Sequence, residues 1–339
     1  MSKPIAKLHS FKPWRLGLRL GIMVLSCAWG ATPARAQMPA PVSSLSAAER
    51  LSESIADQHG ILISEDKTCL FYRRWPAAGG SSSDRVVIVL HGIGYQSGPY
   101  KVIADALNPQ GMDVYALDAR AHGLSCGRRG YIGTPAEVAA DVSAIVQFVH
   151  NERLDAKIYL LGESMGGAYA LNYVRKNSAE LRGLILLAPA LGLNKHQVFQ
   201  IRNMSLLPYF LFAHRAAKVS LTGKRLEESS RDPQFIAERR TDPLAYKKIS
   251  FGYLWDIKRL VKNWKSEIAP NLDLPMLIVQ GGKDAIVSRK DCKLLAQIKA
   301  THGIDDRQYK LFPRTRHTTL WDPDTPEILK FVTQWIIEH

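Results

Sequence analysis

The chain has 339 residues, of which 46% are apolar and 22% are charged, and this composition excludes a disordered, collagen-like or coiled-coil protein. A chain of this length can bury one large core and an accessory subdomain. Its formal charge is +14, but no nucleic-acid recognition motif accompanies the basic excess, so we expect no nucleic-acid partner.

The first 36 residues predict a secretory signal peptide. Five basic residues and no acidic residue precede a short apolar run over 20–31, and Ala34-Arg35-Ala36 then offers an A-x-A cleavage site. The run is shorter than the roughly 20 apolar residues of a membrane span, and an uncleaved N-terminal anchor is the alternative. We therefore expect an exported protein, periplasmic or secreted. Its mature chain has 39 basic and 31 acidic residues, a net charge of +8.

Three cysteines remain in the mature chain, at Cys69, Cys126 and Cys292. Because three is an odd number, at least one thiol stays unpaired or pairs between chains, and the spacing does not decide whether the other two join. The favoured interpretation is three inert core cysteines. No C-x-x-C motif or histidine cluster predicts a metal, and we expect no cofactor.

Residues 37–55, rich in Ala, Pro and Ser, predict a linker, and strand and helix patterns alternate after it. The first predicted elements are a hairpin over 61–64 and 69–75, a strand over 86–90, a helix over 99–107, a strand over 112–117, a helix over 135–149, a strand over 157–161 and a helix over 165–176. Two strands over 183–188 and 275–280 come next, and a helix over 288–299, a strand over 307–312 and a helix over 325–337 end the chain. Thr134 before Pro135 predicts an N-cap. The alternation predicts an α/β fold with a mostly parallel, doubly wound sheet.

The interval 192–270 breaks this alternation, because 79 residues without a core strand cannot form a plain loop in a compact domain. We expect a helical cap, or lid, inserted after the strand at 183–188. The core then consists of residues 56–191 and 271–339.

The pentapeptide Gly162-Glu163-Ser164-Met165-Gly166 matches G-x-S-x-G. A predicted strand enters it and a predicted helix leaves it, which is the setting that a nucleophile elbow requires. We predict that Ser164 is the nucleophile; an ordinary tight turn between strand and helix is the alternative.

A serine hydroxyl needs a base, and in the fold that carries this elbow the partners follow in the order Ser, acid, His. Asp284 lies in the turn after the 275–280 strand, and His317 lies in the loop after the 307–312 strand. We predict His317 as general base and Asp284 as the acid that orients it. The oxyanion donors are predicted to be the backbone N–H groups of Met165 and Ile93.

Four segments together resemble the monoacylglycerol lipase and lysophospholipase branch of the α/β-hydrolases. They are residues 91–94 with Ser97 and Tyr100, residues 118–125, residues 162–167, and the pair Asp284 and His317. The resemblance spans about residues 60–338 except the cap, and implies an α/β-hydrolase fold. Ala121 stands where the family usually has glycine, which leaves the form of that turn open. Asp118, His122 and His91 are expected to shape their loops rather than to react.

Haloalkane dehalogenases and epoxide hydrolases of this fold use aspartate at the elbow, so Ser164 favours acyl transfer to water. The leading hypothesis is a carboxylic ester hydrolase acting on a single-chain lipid such as a monoacylglycerol or lysophospholipid. The alternatives are a peptidase or amidase of the same fold and, less favoured, a non-catalytic binding module. The oligomeric state, acyl-chain length and pathway stay open.

The predicted cap holds 15 basic and 7 acidic residues, so its net charge of +8 equals the net charge of the whole mature chain. An apolar and aromatic stretch over 204–212 precedes His214 and further basic residues. This pattern predicts contact with an anionic lipid surface, or a tunnel for an acyl chain with a phosphate at its mouth. The alternative is packing of the apolar residues on the core beneath a solvated charged face. The candidate substrate-binding residues are Tyr209, Phe210, Arg215 and Lys218.

Overall fold

The computed structural model describes residues 58–78, 83–194 and 218–339, whose main feature is an eight-stranded sheet. The strands of the chain are β1 Gln58–Ile63, β2 Cys69–Trp75, β3 Arg85–Leu90, β4 Asp113–Leu117, β5 Lys157–Glu163, β6 Gly183–Leu187, β7 Lys218–Ser220, β8 Lys248–Ser250, β9 Met276–Gly281 and β10 Arg307–Phe312. The sheet order is β1-β2-β4-β3-β5-β6-β9-β10. The pairs β1–β2 and β2–β4 are antiparallel, and every later pair is parallel. The predicted α/β fold with a mostly parallel sheet is confirmed.

Helices cover both faces of the sheet. They are α1 Lys101–Leu107, α2 Pro135–Glu152, α3 Met165–Asn177, α4 Lys224–Ser229, α5 Pro233–Thr241, α6 Phe251–Leu260, α7 Arg289–Gln297 and α8 Thr325–Glu338, with short 3₁₀ turns at Gly98–Tyr100, Asn108–Gln110, Ser178–Glu180 and Ala269–Asn271 and a π-turn at Trp264–Ile268. Helices α2, α3, α6 and α7 share one buried apolar cluster with the sheet, and α1 and α8 share the other. None of the helices in the described part of the chain is long and apolar enough to cross a membrane.

Local sequence signals account for the elements nearest the site. Strand β3 is a run of aliphatic residues buried from Val86 to Leu90, as expected of a strand covered on both faces. At the start of α2, Thr134 accepts a hydrogen bond from the Glu137 N–H at 3.2 Å, and the Glu137 carboxylate accepts from the Thr134 N–H at 2.6 Å. This capping box confirms Thr134 as the N-cap.

Between β6 and β9, the described residues of the predicted cap hold α4, α5, the antiparallel pair β7–β8, and α6. Helix α5 buries Phe235 against Tyr95, which follows β3, and against Trp321, which follows β10. This part of the interval therefore packs over the loops at the carboxyl edge of the sheet. Helix α6 instead buries Tyr253 and Leu260 in the core cluster that it shares with α3.

The expectation of three inert core cysteines was wrong. Cys69 and Cys126 form a disulfide, with Cα atoms 5.1 Å apart, and Cys292 is free and buried. The reason lies in the topology. Because β2 runs antiparallel to β4, the first residue of β2 lies beside the loop that leaves β4. The two cysteines are 57 positions apart, so the sequence gives no local sign of this proximity.

Candidate active site

The predicted nucleophile Ser164 lies at the sharp turn between β5 and α3, with a φ of 51° and a ψ of −107°. A Cβ at Gly162 would lie 2.4 Å from the Gly166 carbonyl oxygen, and a Cβ at Gly166 would lie 2.0 Å from that of Leu90. Both positions therefore exclude a side chain, which is the physical reason for the glycines of the motif. The strained turn costs about 1–3 kcal/mol and lifts the serine above the sheet edge.

The structure brings the three predicted catalytic residues together at the carboxyl edge of the sheet. His317 Nε2 lies 3.0 Å from Ser164 Oγ, and His317 Nδ1 lies 2.8 Å from Asp284 Oδ2. Because a carboxylate accepts, the ring proton resides on Nδ1, which leaves Nε2 free to accept the serine proton. All three side chains are buried.

Asp284 is held in place by further donors. Its Oδ1 accepts the N–H of Ile286 at 2.7 Å and of Val287 at 3.0 Å, and its Oδ2 accepts from Gln280 Nε2 at 2.8 Å. Burial alone would raise the pKa of Asp284, but the charge and hydrogen bond of His317 and the two N–H groups lower it below its usual 3.8. Asp284 is therefore an ionised acceptor near neutral pH.

The pKa of His317 is shifted in the opposite direction. Burial lowers the pKa of the imidazole, but the charge and hydrogen bond of Asp284 outweigh burial and raise it above its usual 6.5, with a smaller contribution from the charge of Glu163. A base whose pKa lies near the operating pH is the kind that general-base catalysis favours.

The two predicted oxyanion donors follow β3 and β5. Met165 is the first residue of α3, so its N–H has no acceptor within the helix. Near Ile93, the Gly92 carbonyl accepts from His91 Nδ1 at 2.8 Å and from the Tyr95 N–H at 3.2 Å. Because a trans peptide points its N–H away from its C=O, these two bonds fix the direction of the Ile93 N–H.

His91 has both ring nitrogens bound to the protein. Its Nε2 accepts the Ala119 N–H at 3.0 Å, while its Nδ1 donates to Gly92. Burial lowers the pKa of His91, which favours the neutral ring that this pattern requires. His91 therefore orients the loop and is not placed as a second base.

The loop after β4 is also internally bonded. The Asp118 carboxylate accepts the N–H of Ser97 at 2.5 Å and of Leu124 at 2.8 Å. His122 Nδ1 donates to the Arg120 carbonyl at 2.9 Å, and its Nε2 lies 2.6 Å from the Tyr253 hydroxyl. Ala121 adopts a φ of 63°, the left-handed conformation that explains a preference for glycine there. These contacts give Asp118 and His122 a shaping role.

A largely apolar pocket opens above Ser164 and His317. The interval predicted as the cap and the core both supply its apolar side chains. They are Leu193, Leu221, Leu226, Phe235, Ile249 and Leu254 from the cap interval, and Ile93, Tyr95 and Ile286 from the core. Arg225 and Arg239 also line the pocket. Such a pocket suits an acyl chain more than a polar substituent.

Glu163 is a pocket residue that the sequence interpretation did not single out. It is buried beside the nucleophile, and one carboxylate oxygen accepts a hydrogen bond from the Tyr100 hydroxyl. That hydroxyl accepts the Gly92 N–H at 2.7 Å. Burial raises the pKa of Glu163 to about 7, although the Tyr100 hydrogen bond acts against it. The available signal is a carboxylate at the second position of the motif, at the end of a buried strand.

Most of the candidate substrate-binding residues of the cap lie in a part of the chain that the structure does not describe. Tyr209, Phe210 and Arg215 lie outside the described residues. Lys218 begins β7, and the structure describes its backbone pairing with Ser250. Within 58–78, 83–194 and 218–339, no cluster of three or more His, Cys, Asp or Glu side chains is arranged to hold a metal ion.

A mostly parallel sheet with a serine elbow, and with a histidine and an aspartate on the loops beside it, defines an α/β-hydrolase. Residues 81–324 match the family model described as serine aminopeptidase, S33, and the chain belongs to this family.

Known relatives point to one branch of it. The chain is 27% identical over 255 residues to a monoacylglycerol lipase of Mycolicibacterium smegmatis, covering 75% of this chain and 88% of that protein. It is also 27% identical over 283 residues to a monoglyceride lipase of Mus musculus, covering 81% and 89%. A soluble variant of monoglyceride lipase from Saccharomyces cerevisiae, solved with a substrate analog, shares the fold with a TM-score of 0.71 at 21% identity, covering 91% and 99%. The predicted branch is confirmed, and the chain is a hydrolase.

Proposed function

We propose that the protein is a serine carboxylic ester hydrolase that uses Ser164, His317 and Asp284. The observation that carries the proposal is the buried chain of hydrogen bonds from Asp284 through His317 to Ser164, at the floor of an apolar pocket. Ser164 Oγ attacks the ester carbonyl while His317 Nε2 takes its proton and then passes it to the leaving alcohol. The N–H groups of Ile93 and Met165 bind the oxyanion, and water releases the acyl group by the same route.

The substrate class that we infer is a single-chain acyl ester, a monoacylglycerol or a lysophospholipid. The apolar pocket walls support this inference, as do the lipase names of the relatives. Arg225 and Arg239 in the pocket wall would tolerate a phosphate better than a cationic substituent.

A peptidase or amidase is the second candidate, because the matching family is described as serine aminopeptidase. A free substrate amine calls for carboxylates in the pocket. Among the described wall residues the one carboxylate is Glu163, which is already bonded to Tyr100, whereas two arginines face the same space. The positive charge of the pocket wall therefore favours an ester substrate over one with a free amine.

A panel of substrates tests the choice between the two candidates. The panel contains p-nitrophenyl esters of increasing acyl length and aminoacyl p-nitroanilides, assayed with the mature wild-type protein. We expect ester hydrolysis whose kcat/KM rises with chain length, and little anilide hydrolysis. Preferential cleavage of the anilides would overturn the ester assignment.

We also propose that the protein binds anionic lipid surfaces peripherally. On α6, Trp255 is 61% exposed, and Lys258 and Arg259 follow at the i+3 and i+4 positions of the same helix face. The Lys258 ammonium lies 5.1 Å from the centre of the Trp255 ring. An exposed tryptophan beside cations is typical of a membrane-interface contact, and Leu254 next to it lines the pocket.

Vesicle binding tests this surface. Replacing Lys258, Arg215 or Lys218 by glutamine should weaken binding to phosphatidylcholine vesicles that contain phosphatidylglycerol by about fivefold for each charge. Lys330→Gln on α8 is the matched control. Added salt should lower the activity on a monoacylglycerol carried in these vesicles and spare a short soluble ester, because exposed charges are screened within about 8–10 Å at physiological ionic strength. Equal effects on both substrates would show that the charges belong to a solvated surface.

Export is a further proposal, made from the first 36 residues. The Cys69–Cys126 disulfide supports it, because disulfides persist in oxidising compartments. Expression of the full chain in a bacterium, followed by cell fractionation and N-terminal sequencing, tests the proposal. We expect a periplasmic or secreted chain that begins at Gln37. A membrane-bound chain that retains Met1 would instead indicate an uncleaved anchor.

A further inference from the structure

The loop that carries the Ile93 N–H is held from two sides. We call residues 91–97 the oxyanion loop. On the core side, Tyr100 binds the Gly92 N–H at 2.7 Å and His91 binds the Gly92 carbonyl at 2.8 Å. These contacts fix the peptide groups that precede Ile93. The peptide group that follows Gly94 is fixed by different residues.

Those residues come from α5 and the segment after it. Arg239 Nη2 donates to the Gly94 carbonyl at 2.8 Å and to the Tyr246 carbonyl at 3.1 Å. The Tyr246 N–H donates to the same Gly94 oxygen at 2.9 Å. The Arg239 guanidinium also lies over the Tyr95 ring, 4.5 Å from its centre. One buried arginine therefore contacts two consecutive residues of the oxyanion loop.

The fit around Gly94 is tight. Gly94 has a φ of +67°, and a Cβ there would lie 2.7 Å from Leu221, 3.0 Å from Arg239 and 3.1 Å from Tyr246. Arg239 is 4% exposed, and its Nη1 has no hydrogen-bond partner among the described residues. Burying a cation in this way is costly, and burial lowers its pKa. A contact kept at such cost points to a role beyond filling space.

We propose that Arg239 is a positioning residue. By holding the Gly94 carbonyl, it fixes the peptide group whose N–H, that of Tyr95, donates to the Gly92 carbonyl, and this bond keeps the Ile93 N–H aimed at the oxyanion. This inference rests on the proposed ester hydrolysis. The oxyanion hole then depends on contacts from the core and from residues 239–246, so a displacement of this segment weakens the binding of the transition state.

Kinetics of three variants test the proposal on p-nitrophenyl butyrate. Arg239→Met keeps an unbranched, shorter side chain and removes the donors. It should lower kcat by about 10–100-fold, less than the roughly 10²–10³-fold that loss of a whole oxyanion donor costs, with little change in KM. Arg239→Lys, which keeps the charge and a donor, should recover part of this loss. The control is Arg240→Met, whose exposed side chain pairs with Glu227 at 2.5 Å, and it should leave kcat unchanged.

Unchanged kcat in Arg239→Met, or an equal loss in Arg240→Met, would overturn the proposal. Should Arg239→Met fail to fold, Arg239→Lys takes its place against the same control. Hydrogen exchange gives a second readout that needs no activity: residues 92–95 should exchange faster in the Arg239 variant than in wild type and in Arg240→Met. Equal exchange in the Arg239 variant and in wild type would refute the positioning role of Arg239. If the wild-type protein hydrolyses no ester but the exchange difference between it and the Arg239 variant is found, the proposed function is contradicted while the contact of Arg239 with the oxyanion loop is supported.

Discussion

Replacing Asp284 by asparagine tests the hydrogen-bond chain sharply, because the structure predicts how the new amide is oriented. Asp284 Oδ1 accepts the N–H groups of Ile286 and Val287, which are fixed in the backbone. An asparagine therefore keeps its oxygen toward these donors and turns its NH₂ group toward His317. The ring must then accept at Nδ1, which moves its proton to Nε2 and leaves no acceptor for the Ser164 proton.

The expected loss in kcat is roughly 10⁴-fold, the size of the same change in a Ser-His-Asp protease. This corresponds to about 5.4 kcal/mol of barrier at about 1.36 kcal/mol per factor of ten. The fold should survive, because Gln280, whose Oε1 is buried and without a partner in the described residues, can rotate to accept from the new NH₂ group.

The assay is kcat for p-nitrophenyl butyrate at neutral pH, measured beside a thermal melt. Asp105→Asn is the control, since it removes an exposed carboxylate that pairs with Lys101. Near-normal kcat in Asp284→Asn would refute the reasoning and point to another acid.

Three further predictions follow from the same geometry. Ser164→Ala and His317→Ala should each lower kcat by up to roughly 10⁶-fold with unchanged circular dichroism, and residual turnover near the wild-type rate would exclude them from the chemistry. His317 must be neutral to act as base and its pKa is raised, so kcat/KM should fall as the pH drops through that pKa. Glu163, whose own pKa is about 7, carries its charge only toward the upper end of this acid limb, so Glu163→Gln should move the limb slightly to lower pH in a pH–rate profile. Identical limbs would contradict that coupling. Replacing Cys69 and Cys126 together by alanine opens a link across 57 residues and should lower the free energy of unfolding in urea by about 4 kcal/mol, whereas an unchanged midpoint would show that the bridge does not constrain the unfolded chain.

The sequence could predict those features that depend on neighbouring residues. Thr134 and Glu137 cap a helix that their own spacing defines, and β3 is a strand because its aliphatic run is continuous. The positions of Asp284 and His317 follow from one rule, that loops after parallel strands meet at one sheet edge. Each of these arguments needs only a short window of sequence or the strand order.

The contacts that escaped prediction join distant parts of the chain. Cys69 meets Cys126 because of an antiparallel strand pair, and Arg239 meets Gly94 across 145 residues. Neither partner has a local pattern that marks the other. Glu163 stood within the motif, but its hydrogen bond to Tyr100 and its raised pKa depend on burial that only the folded chain creates.

The most direct test of the central claim is covalent labelling of the mature protein with a fluorophosphonate probe, followed by peptide mass spectrometry. A serine activated by His317 should react with one equivalent of the probe, and the adduct should lie on Ser164 in the peptide that contains Gly162 and Gly166. Labelling should vanish in Ser164→Ala and in His317→Ala. Absence of labelling in the folded wild-type protein would contradict the account and favour a non-catalytic binding module, and an adduct on another serine would move the active site elsewhere.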